Sequence, residues 1–190
     1  MIDEGLPRLA VETSLLLVVD VQGRLARLVH QSERMIRRQR VLIRGCRALG
    51  VPVLWAEQLP DKLGSTVDEL QESLEGLQPF CKSSFGCLGD AALARAIEDS
   101  GRQQILLCGI ETHICVWQTA AALKASGREV HLIIDATSSR DPESRQVGIQ
   151  RMRSIGVWPS VAEMALFELM RDATHPKFRE IVALLKDEAA

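Results

Sequence analysis

The sequence predicts an α/β protein in which a mainly parallel sheet of about six strands is flanked by helices on both faces. Two observations support this fold class. Short apolar runs rich in branched residues recur along the chain, and longer stretches with helical periodicity separate them. Strands buried on both faces read as continuous apolar runs, and their alternation with helices is typical of a three-layer parallel-sheet protein.

Four strong strand candidates and two weaker ones make up the predicted sheet. The strong candidates are residues 15–19, 51–56, 105–108 and 130–134, and the weaker ones are residues 79–81 and 157–161. Polar residues or glycine follow the strong candidates, namely Asp20, Glu57, Gly109 and Asp135. Pro159 indicates an edge strand for the last candidate, because proline cannot donate a hydrogen bond to a neighbouring strand.

Helices are predicted between these strands. Apolar residues at helical spacing predict a helix over residues 35–49 that ends at Gly50. Further helices are predicted over residues 90–100, 112–126, 142–155, 164–169 and 177–185. The arginines of residues 34–47 are interpreted as a solvated helix face, with a phosphate-binding patch as the alternative. Residues 59–76 predict a long connection, of the kind that often forms a lid beside a ligand site.

Length and composition indicate one globular domain over residues 1–190. The chain is 46% hydrophobic and 25% charged, which excludes an intrinsically disordered protein. Its net charge of −2 provides no field that would attract a polyanion, so no nucleic-acid partner is expected. No apolar run is long enough to span a membrane, and early acidic residues replace a secretory signal. These features predict a cytoplasmic protein without a membrane partner.

The cysteine, histidine and glycine patterns limit the chemistry. The five cysteines form no C-x-x-C pair and the four histidines are dispersed, so neither a disulfide framework nor a metal site is expected. The sequence contains no G-x-G-x-x-G turn and no P-loop, which argues against the common nucleotide sites. Any chemistry of this protein is therefore expected to depend on cysteine, lysine and carboxylate side chains.

Three chemically distinctive residues lie where the predicted strands end. Asp20 follows the first strand, Lys82 follows a short buried stretch, and Cys115 lies in the first turn of a predicted helix. Ligands of open parallel sheets bind at the carboxyl ends of the strands. A helix amino terminus and a nearby lysine both favour the thiolate form of a cysteine. Each residue alone also fits a structural role, but together they predict a nucleophile, a thiolate stabiliser and a proton acceptor.

Three segments carry a resemblance to a known superfamily. They are DVQ at 20–22, KSSF at 82–85 and GIETHICV at 109–116. In this order they resemble the aspartate, lysine and nucleophile motifs of the isochorismatase-like cysteine hydrolases. The resemblance covers residues 15–185. Further segments resemble the isochorismatase domain-containing subgroup of largely uncharacterised hydrolases, namely EQLP at 57–60, LGSTV at 63–67 and EMALFEL at 163–169.

The resemblance implies a catalytic triad of Asp20, Lys82 and Cys115. It also implies a cis peptide bond between Ile110 and Glu111, which would aim the backbone N–H groups of Glu111 and Cys115 at a developing oxyanion. The implied activity is cofactor-independent hydrolysis of a small amide, imide or related C–N bond through a thioester.

The resemblance also bears on ligands and assembly. Gln22, Gln58, Phe85 and His113 are predicted to line a pocket for a small-molecule substrate, although each also fits a structural role. Nicotinamidases of the superfamily bind a metal through an Asp-x-His segment after the second strand, whereas residues 55–60 contain no histidine. No metal is therefore expected. Members commonly assemble as dimers or larger rings, so a homo-oligomer is expected.

Two alternative functions stay open at this point. The first is isochorismatase-type hydrolysis of a vinyl ether, in which the aspartate protonates the substrate and no cysteine is required. The presence of Cys115 argues mildly against that reaction. The second is the function of a binding or regulatory module that keeps the pocket without turnover, since loss of activity would not necessarily alter the three motifs.

Overall fold

The computed structural model describes residues 8–187 and contains a six-stranded parallel sheet with helices on both faces. The strands are β1 (Ser14–Val19), β2 (Val53–Gln58), β3 (Phe80–Lys82), β4 (Gln104–Ile110), β5 (Glu129–Ser138) and β6 (Trp158–Ser160). Their order across the sheet is β3-β2-β1-β4-β5-β6, and every neighbouring pair is parallel. The predicted fold class is confirmed, and the strand that contains Pro159 lies at a sheet edge.

Helices connect the strands. They are α1 (Gly23–Leu28), α2 (Ser32–Leu49), α3 (Pro60–Leu63), α4 (Asp68–Gln71), α5 (Ala91–Asp99), α6 (Trp117–Ala125), α7 (Pro142–Ser154), α8 (Ala162–Met170) and α9 (Phe178–Asp187). Short 3₁₀ turns follow α4 and precede α5, and a π-helical turn, Thr112–Val116, precedes α6. The predicted helix over residues 112–126 is therefore present, but its first turn is wound more widely than an α-helix.

Two hydrophobic clusters hold the helical layers to the sheet. Leu16 and Val18 of β1 belong to the cluster shared with α2, α8 and α9. Leu15, Leu17 and Val19 belong to the cluster shared with α5, α6 and α7. All five side chains are at most 2% exposed. Successive strand residues thus point to opposite layers, which explains why β1 is apolar throughout rather than alternating.

The order of the strands creates a crevice between β1 and β4. From β1 the chain proceeds to β2 and β3 on one side, and it then returns to β4, β5 and β6 on the other. Connections therefore leave the carboxyl ends of β1 and β4 in opposite directions, which is the usual position of a ligand site in a parallel sheet. Asp20 follows β1 at this crevice, and the π-helical turn follows β4.

Strand β5 is longer than the sequence predicts. The sequence pattern places Asp135 after the strand, but β5 continues to Ser138. The pairing of β4 with β5 changes register between Leu107 and Gly109, and Asp135 lies in the irregular part of β5. Its carboxylate accepts a hydrogen bond of 2.9 Å from the backbone N–H of Ala162, the first residue of α8. Asp135 thus lies within strand β5, where its polar side chain caps the first turn of α8.

The connection over residues 59–76 is more regular than predicted. It contains α3, α4 and a 3₁₀ turn, and the side chains of Val67, Leu70 and Leu74 are buried. Thr66 pairs with Gln22 in an isolated antiparallel bridge. The turn residues of this segment obscure its apolar spacing in the sequence. A packed connection rather than an open loop therefore covers this side of the crevice.

Two searches cover the part of the chain that the structure describes. Among residues 8–187, no helix is long and apolar enough to cross a bilayer. The same residues contain no group of three or more histidine, cysteine, aspartate or glutamate side chains that could hold a metal ion. The acidic residues Asp3 and Glu4, on which the predicted localisation partly depends, lie outside the described residues.

The close approach of β4 to β1 predicts a strong requirement for glycine at position 109. Gly109 has a φ of +125°, and a Cβ atom there would lie 2.1 Å from the carbonyl oxygen of Val19. Gly127 has a φ of +83°, and a Cβ atom added there would have no atom within 4 Å. We expect Gly109→Ala to lower the free energy of unfolding by more than about 3 kcal/mol, and the control Gly127→Ala to lower it by about 1 kcal/mol. Urea denaturation measures both, and equal losses would contradict the predicted clash.

Candidate active site

The structure brings the three predicted catalytic side chains together at the carboxyl edge of the sheet. The Lys82 Nζ atom lies 2.6 Å from Asp20 Oδ2, and it also donates to Gln58 Oε1 at 3.2 Å. The Cys115 Sγ atom donates to the same Gln58 oxygen at 3.4 Å. Asp20, Lys82 and Cys115 are 2%, 2% and 8% exposed. The amide of Gln58, at the end of β2, therefore links the ammonium group to the thiol.

The Lys82 ammonium group is fully engaged in hydrogen bonds. Besides Asp20 and Gln58, it donates to the backbone oxygens of Ser84 at 3.1 Å and Phe85 at 3.2 Å. A buried charge is tolerated only where an opposite charge and hydrogen bonds replace the lost water. These contacts satisfy that requirement and fix the position of the lysine.

One oxygen of the Asp20 carboxylate is available as a proton acceptor. Oδ2 binds Lys82, whereas Oδ1 is buried and receives no hydrogen bond of standard geometry from the described residues. Burial raises the pKa of Asp20, although the charge of Lys82 opposes this shift. The Cys115 thiol is close enough to influence the same pKa. A carboxylate with a raised pKa is a stronger base, so Asp20 is suited to accept a proton from the neighbouring thiol.

The expectation that the local charges favour a resting thiolate is wrong. Burial raises the pKa of the Cys115 thiol, and the negative charge of Asp20 raises it further. Lys82 acts in the opposite direction but does not prevail. Burial is the largest cause, because it removes the water that would stabilise a thiolate. Burial and the charge of Asp20 therefore favour the thiol form of Cys115 over the thiolate.

A salt bridge to Arg140 anchors the turn that carries Cys115. The peptide bond between Ile110 and Glu111 is cis. The Glu111 carboxylate accepts hydrogen bonds from the backbone N–H, Nε and Nη2 of Arg140, at 3.0, 2.9 and 3.1 Å. Burial acts to raise the pKa of Glu111, but the bonds from Arg140 outweigh it and the pKa is lowered. This carboxylate is therefore held as an anion that joins the π-helical turn to the segment after β5.

The predicted pocket residues occupy different surroundings. Gln22 is fully buried, and its side chain binds the backbone of Gln58 and the carbonyl oxygen of Gly64, so it braces the residues around the site. Phe85 is 51% exposed. His113 Nδ1 lies 3.0 Å from Ser139 Oγ, and the ring lines a surface cavity formed with α7. The structure thus places the Gln58 side chain in contact with Lys82 and Cys115. Gln22 and His113 instead form hydrogen bonds with neighbouring backbone and serine groups.

Polar residues next to the predicted site residues also support the site. Thr119 Oγ1 donates to the carbonyl oxygen of Cys115 at 2.7 Å and accepts from the backbone N–H of Cys87 at 3.0 Å. The four-residue spacing from Cys115 on a predicted helix is the sequence signal that identifies this contact. Glu57 Oε1 accepts from the backbone N–H of Thr66 at 2.6 Å and so holds the connection after β2. Arg140 carries no specific sequence signal, because its partner is distant in the sequence.

The fold and the site define an α/β protein of the isochorismatase-like hydrolase class. The family model for the isochorismatase domain matches residues 14–164. The isochorismatase domain-containing protein 2 of Danio rerio is 37% identical over 181 residues, which are 95% of this chain and 91% of the relative. The chain therefore belongs to the isochorismatase family.

Solved structures share this fold. The MAR1 ribonuclease from Caenorhabditis elegans superposes with a TM-score of 0.89 at 32% identity, and the match covers 94% of this chain and 92% of that one. The YcaC gene product from Escherichia coli, described as an octameric hydrolase of unknown specificity, has a TM-score of 0.86 at 20% identity. That match covers 96% of this chain and 89% of the other, and it shows the likeness of the fold alone.

The electrostatics of the site predict that Asp20 suppresses ionisation of Cys115. In a Cys81→Ser background, which removes an exposed thiol, Asp20→Asn eliminates the negative charge beside the sulfur and leaves Lys82 in place. We expect the pH midpoint for alkylation of Cys115 by iodoacetamide to move to lower pH, because Asp20 raises the pKa of this thiol. Mass spectrometry of the Cys115 peptide measures the labelling rate. The exposed control Asp99→Asn should leave the midpoint unchanged, and an upward shift in Asp20→Asn would contradict the prediction.

Proposed function

We propose that the protein is a cofactor-independent cysteine hydrolase that cleaves a small amide, imide or related C–N bond. The observation that carries this proposal is the Cys115 thiol beside the buried Asp20 carboxylate, whose Oδ1 atom accepts no hydrogen bond of standard geometry from residues 8–187. A nucleophile within reach of a base that a third group holds in place is the arrangement used in covalent catalysis. Lys82 is that third group, at 2.6 Å from Asp20.

The reaction begins with proton transfer. As Sγ of Cys115 attacks the substrate carbonyl carbon, Asp20 Oδ1 accepts the thiol proton, and the carbonyl electron pair moves onto oxygen. The backbone N–H groups of Glu111 and Cys115 stabilise this oxyanion. When the tetrahedral intermediate collapses, the C–N bond breaks and the proton on Asp20 passes to the leaving nitrogen. The product on the protein is a thioester.

Hydrolysis of the thioester completes the cycle. Asp20, again a carboxylate, accepts a proton from water as the water oxygen attacks the thioester carbon. Collapse of this second intermediate breaks the C–S bond, and the proton returns to sulfur as the carboxylic acid leaves. Lys82 keeps Oδ2 of Asp20 occupied, so that Oδ1 accepts and returns the proton in each half of the reaction.

Cleavage of RNA is a second candidate, because one relative at 32% identity is described as a ribonuclease. The net charge of −2 and the small exposure of the Cys115 side chain favour a small substrate instead. Vinyl-ether hydrolysis and small-molecule binding without turnover are two further candidates. The protonated thiol beside a base supports cysteine chemistry over both of them.

The proposal extends to the whole protein. We propose a single domain over residues 1–190, a small-molecule substrate, no metal or other cofactor, no nucleic-acid or membrane partner, and a cytoplasmic location. We also propose a homo-oligomer, a dimer or larger. Several large apolar side chains are about half exposed, namely Leu28, Phe85, Val147, Trp158 and Met164. Burial of such side chains between copies of the chain would stabilise an assembly.

Loss of the nucleophile should abolish turnover. We expect Cys115→Ala to lower kcat/KM for any amide or imide hydrolysed by the wild type by at least about a thousandfold. The control Cys81→Ser, on the exposed face of β3, should retain full activity. Amine release from a panel of small amides and imides measures turnover, and rapid-quench mass spectrometry detects the acyl group on Cys115. Undiminished turnover in Cys115→Ala would eliminate the proposed nucleophile.

The same variants separate the competing activities. Incubated with a single-stranded RNA, the wild type should release no fragments above the level of Asp20→Asn. If RNA is cleaved by the wild type and by Cys115→Ala but not by Asp20→Asn, the proposed reaction is wrong. That result would support acid–base chemistry at Asp20 instead. Full activity of Cys115→Ala on a vinyl ether would favour the isochorismatase-type reaction.

The proposed assembly is tested by the mass of the protein in solution. We expect light scattering coupled to size-exclusion chromatography to give at least twice the mass of one chain at micromolar concentration. A mass equal to that of one chain would contradict a stable homo-oligomer.

A further inference from the structure

A second cavity lies on the β5 side of the sheet, apart from Asp20, Lys82 and Cys115. Its volume is about 310 Å³, which is at the lower end of the range for small-molecule pockets. Its wall is formed by the segment before α2, by α2, β5 and α7, and by the residue that precedes α8. The lining residues that matter for its chemistry are His30, Arg34, Met35, Asp135, Arg145 and Val161.

The cavity exists because β6 is much shorter than β5. Strand β6 pairs with β5 only at residues 131–133, so the later part of β5 has no strand partner on this side. The guanidinium group of Arg145 occupies this edge. It donates to the carbonyl oxygen of Thr137 at 2.9 Å and to that of Ile134. These bonds fix the orientation of the Arg145 side chain at the cavity wall.

The cavity is lined by two guanidinium groups, those of Arg34 and Arg145, and by one carboxylate, that of Asp135. Arg34 donates to the amide oxygen of Gln31 at 3.3 Å, and Arg145 donates to carbonyl oxygens, so their hydrogen-bond acceptors are neutral. Within the described part of the chain, neither group forms an ion pair. Burial lowers the pKa of Arg145 and the nearby positive charge of Arg34 lowers it further, although the charge of Asp135 opposes this shift.

The carboxylate in the cavity is already engaged elsewhere. Oδ1 of Asp135 accepts the backbone N–H of Ala162 at 2.9 Å, and Oδ2 lies 3.7 Å from Nε of Arg38. Arg34, Arg38 and Arg145 thus place three guanidinium charges around the single carboxylate of Asp135. The net positive charge that remains favours an anionic ligand. Met35 and Val161 provide apolar wall beside these groups.

We propose that this cavity binds the phosphate group of a small phosphorylated molecule through Arg34 and Arg145. Guanidinium groups bind phosphate oxygens by charge-assisted hydrogen bonds, which are stronger than bonds between neutral groups. The volume leaves room for an organic group against Met35 and Val161. The inference is independent of the proposed hydrolase activity, because it uses none of the residues of the candidate active site.

Calorimetric titration of the full chain tests this site with two probes, inorganic phosphate and phenyl phosphate, at constant ionic strength. We expect saturable binding of phosphate to the wild type, and about a tenfold loss of affinity in Arg34→Gln, since one charged hydrogen-bond partner is removed. Arg34→Lys should retain more affinity than Arg34→Gln. The matched control is Arg44→Gln, an exposed arginine on α2 outside this cavity, which should bind as the wild type does.

The outcomes distinguish the chemistry of the ligand. Tighter binding of phenyl phosphate than of phosphate would support a phosphate ester with an apolar group, and equal affinities would support recognition of the phosphate group alone. Absence of saturable binding to the wild type would overturn the proposal. So would equal affinities of Arg34→Gln and the wild type. An equal loss in Arg44→Gln and Arg34→Gln would show an effect of overall charge and would overturn it as well.

Discussion

The buried ion pair between Lys82 and Asp20 is the interaction on which the candidate active site depends. The two residues come from β3 and from the end of β1, which are separated in the sheet by β2. The lysine side chain therefore spans the end of β2, where the amide of Gln58 accepts one of its hydrogen bonds. Removing one partner of such a pair leaves an unpaired buried charge, at a cost of about 3–5 kcal/mol. The pair thus fixes three strand ends relative to one another.

The same pair determines the protonation of the nucleophile. An isolated lysine beside Cys115 would favour the thiolate, but burial of the thiol raises its pKa and the charge of the adjacent Asp20 raises it further. The paired charges of Lys82 and Asp20 offset each other, which suits their burial. Reactivity then requires proton transfer within the site rather than a preformed thiolate. Such a site protects the sulfur from unselective reactions while no substrate is bound.

Local patterns predict the strands, most helices and the three catalytic candidates, because a buried parallel strand and the polar residue that ends it are both visible in the sequence. Contacts between segments that are distant in the sequence are harder to predict from local patterns. The roles of Gln58 and Arg140 depend on which strand ends adjoin, and the extension of β5 to Ser138 depends on a register change against β4. The thiol pKa is not predictable from the sequence either, because it depends on burial and on the balance of two neighbouring charges.

The segment after β5 connects the two sites that the structure suggests. Ser138 Oγ donates to the carbonyl oxygen of His30 on the side of the phosphate cavity, and Arg140 binds Glu111 on the side of the nucleophile turn. Between them, Ser139 accepts the backbone N–H of His30 and lies 3.0 Å from the ring of His113. Three consecutive residues thus contact both sites. The segment after β5 is therefore a structural element that the cavity wall and the turn carrying Cys115 have in common.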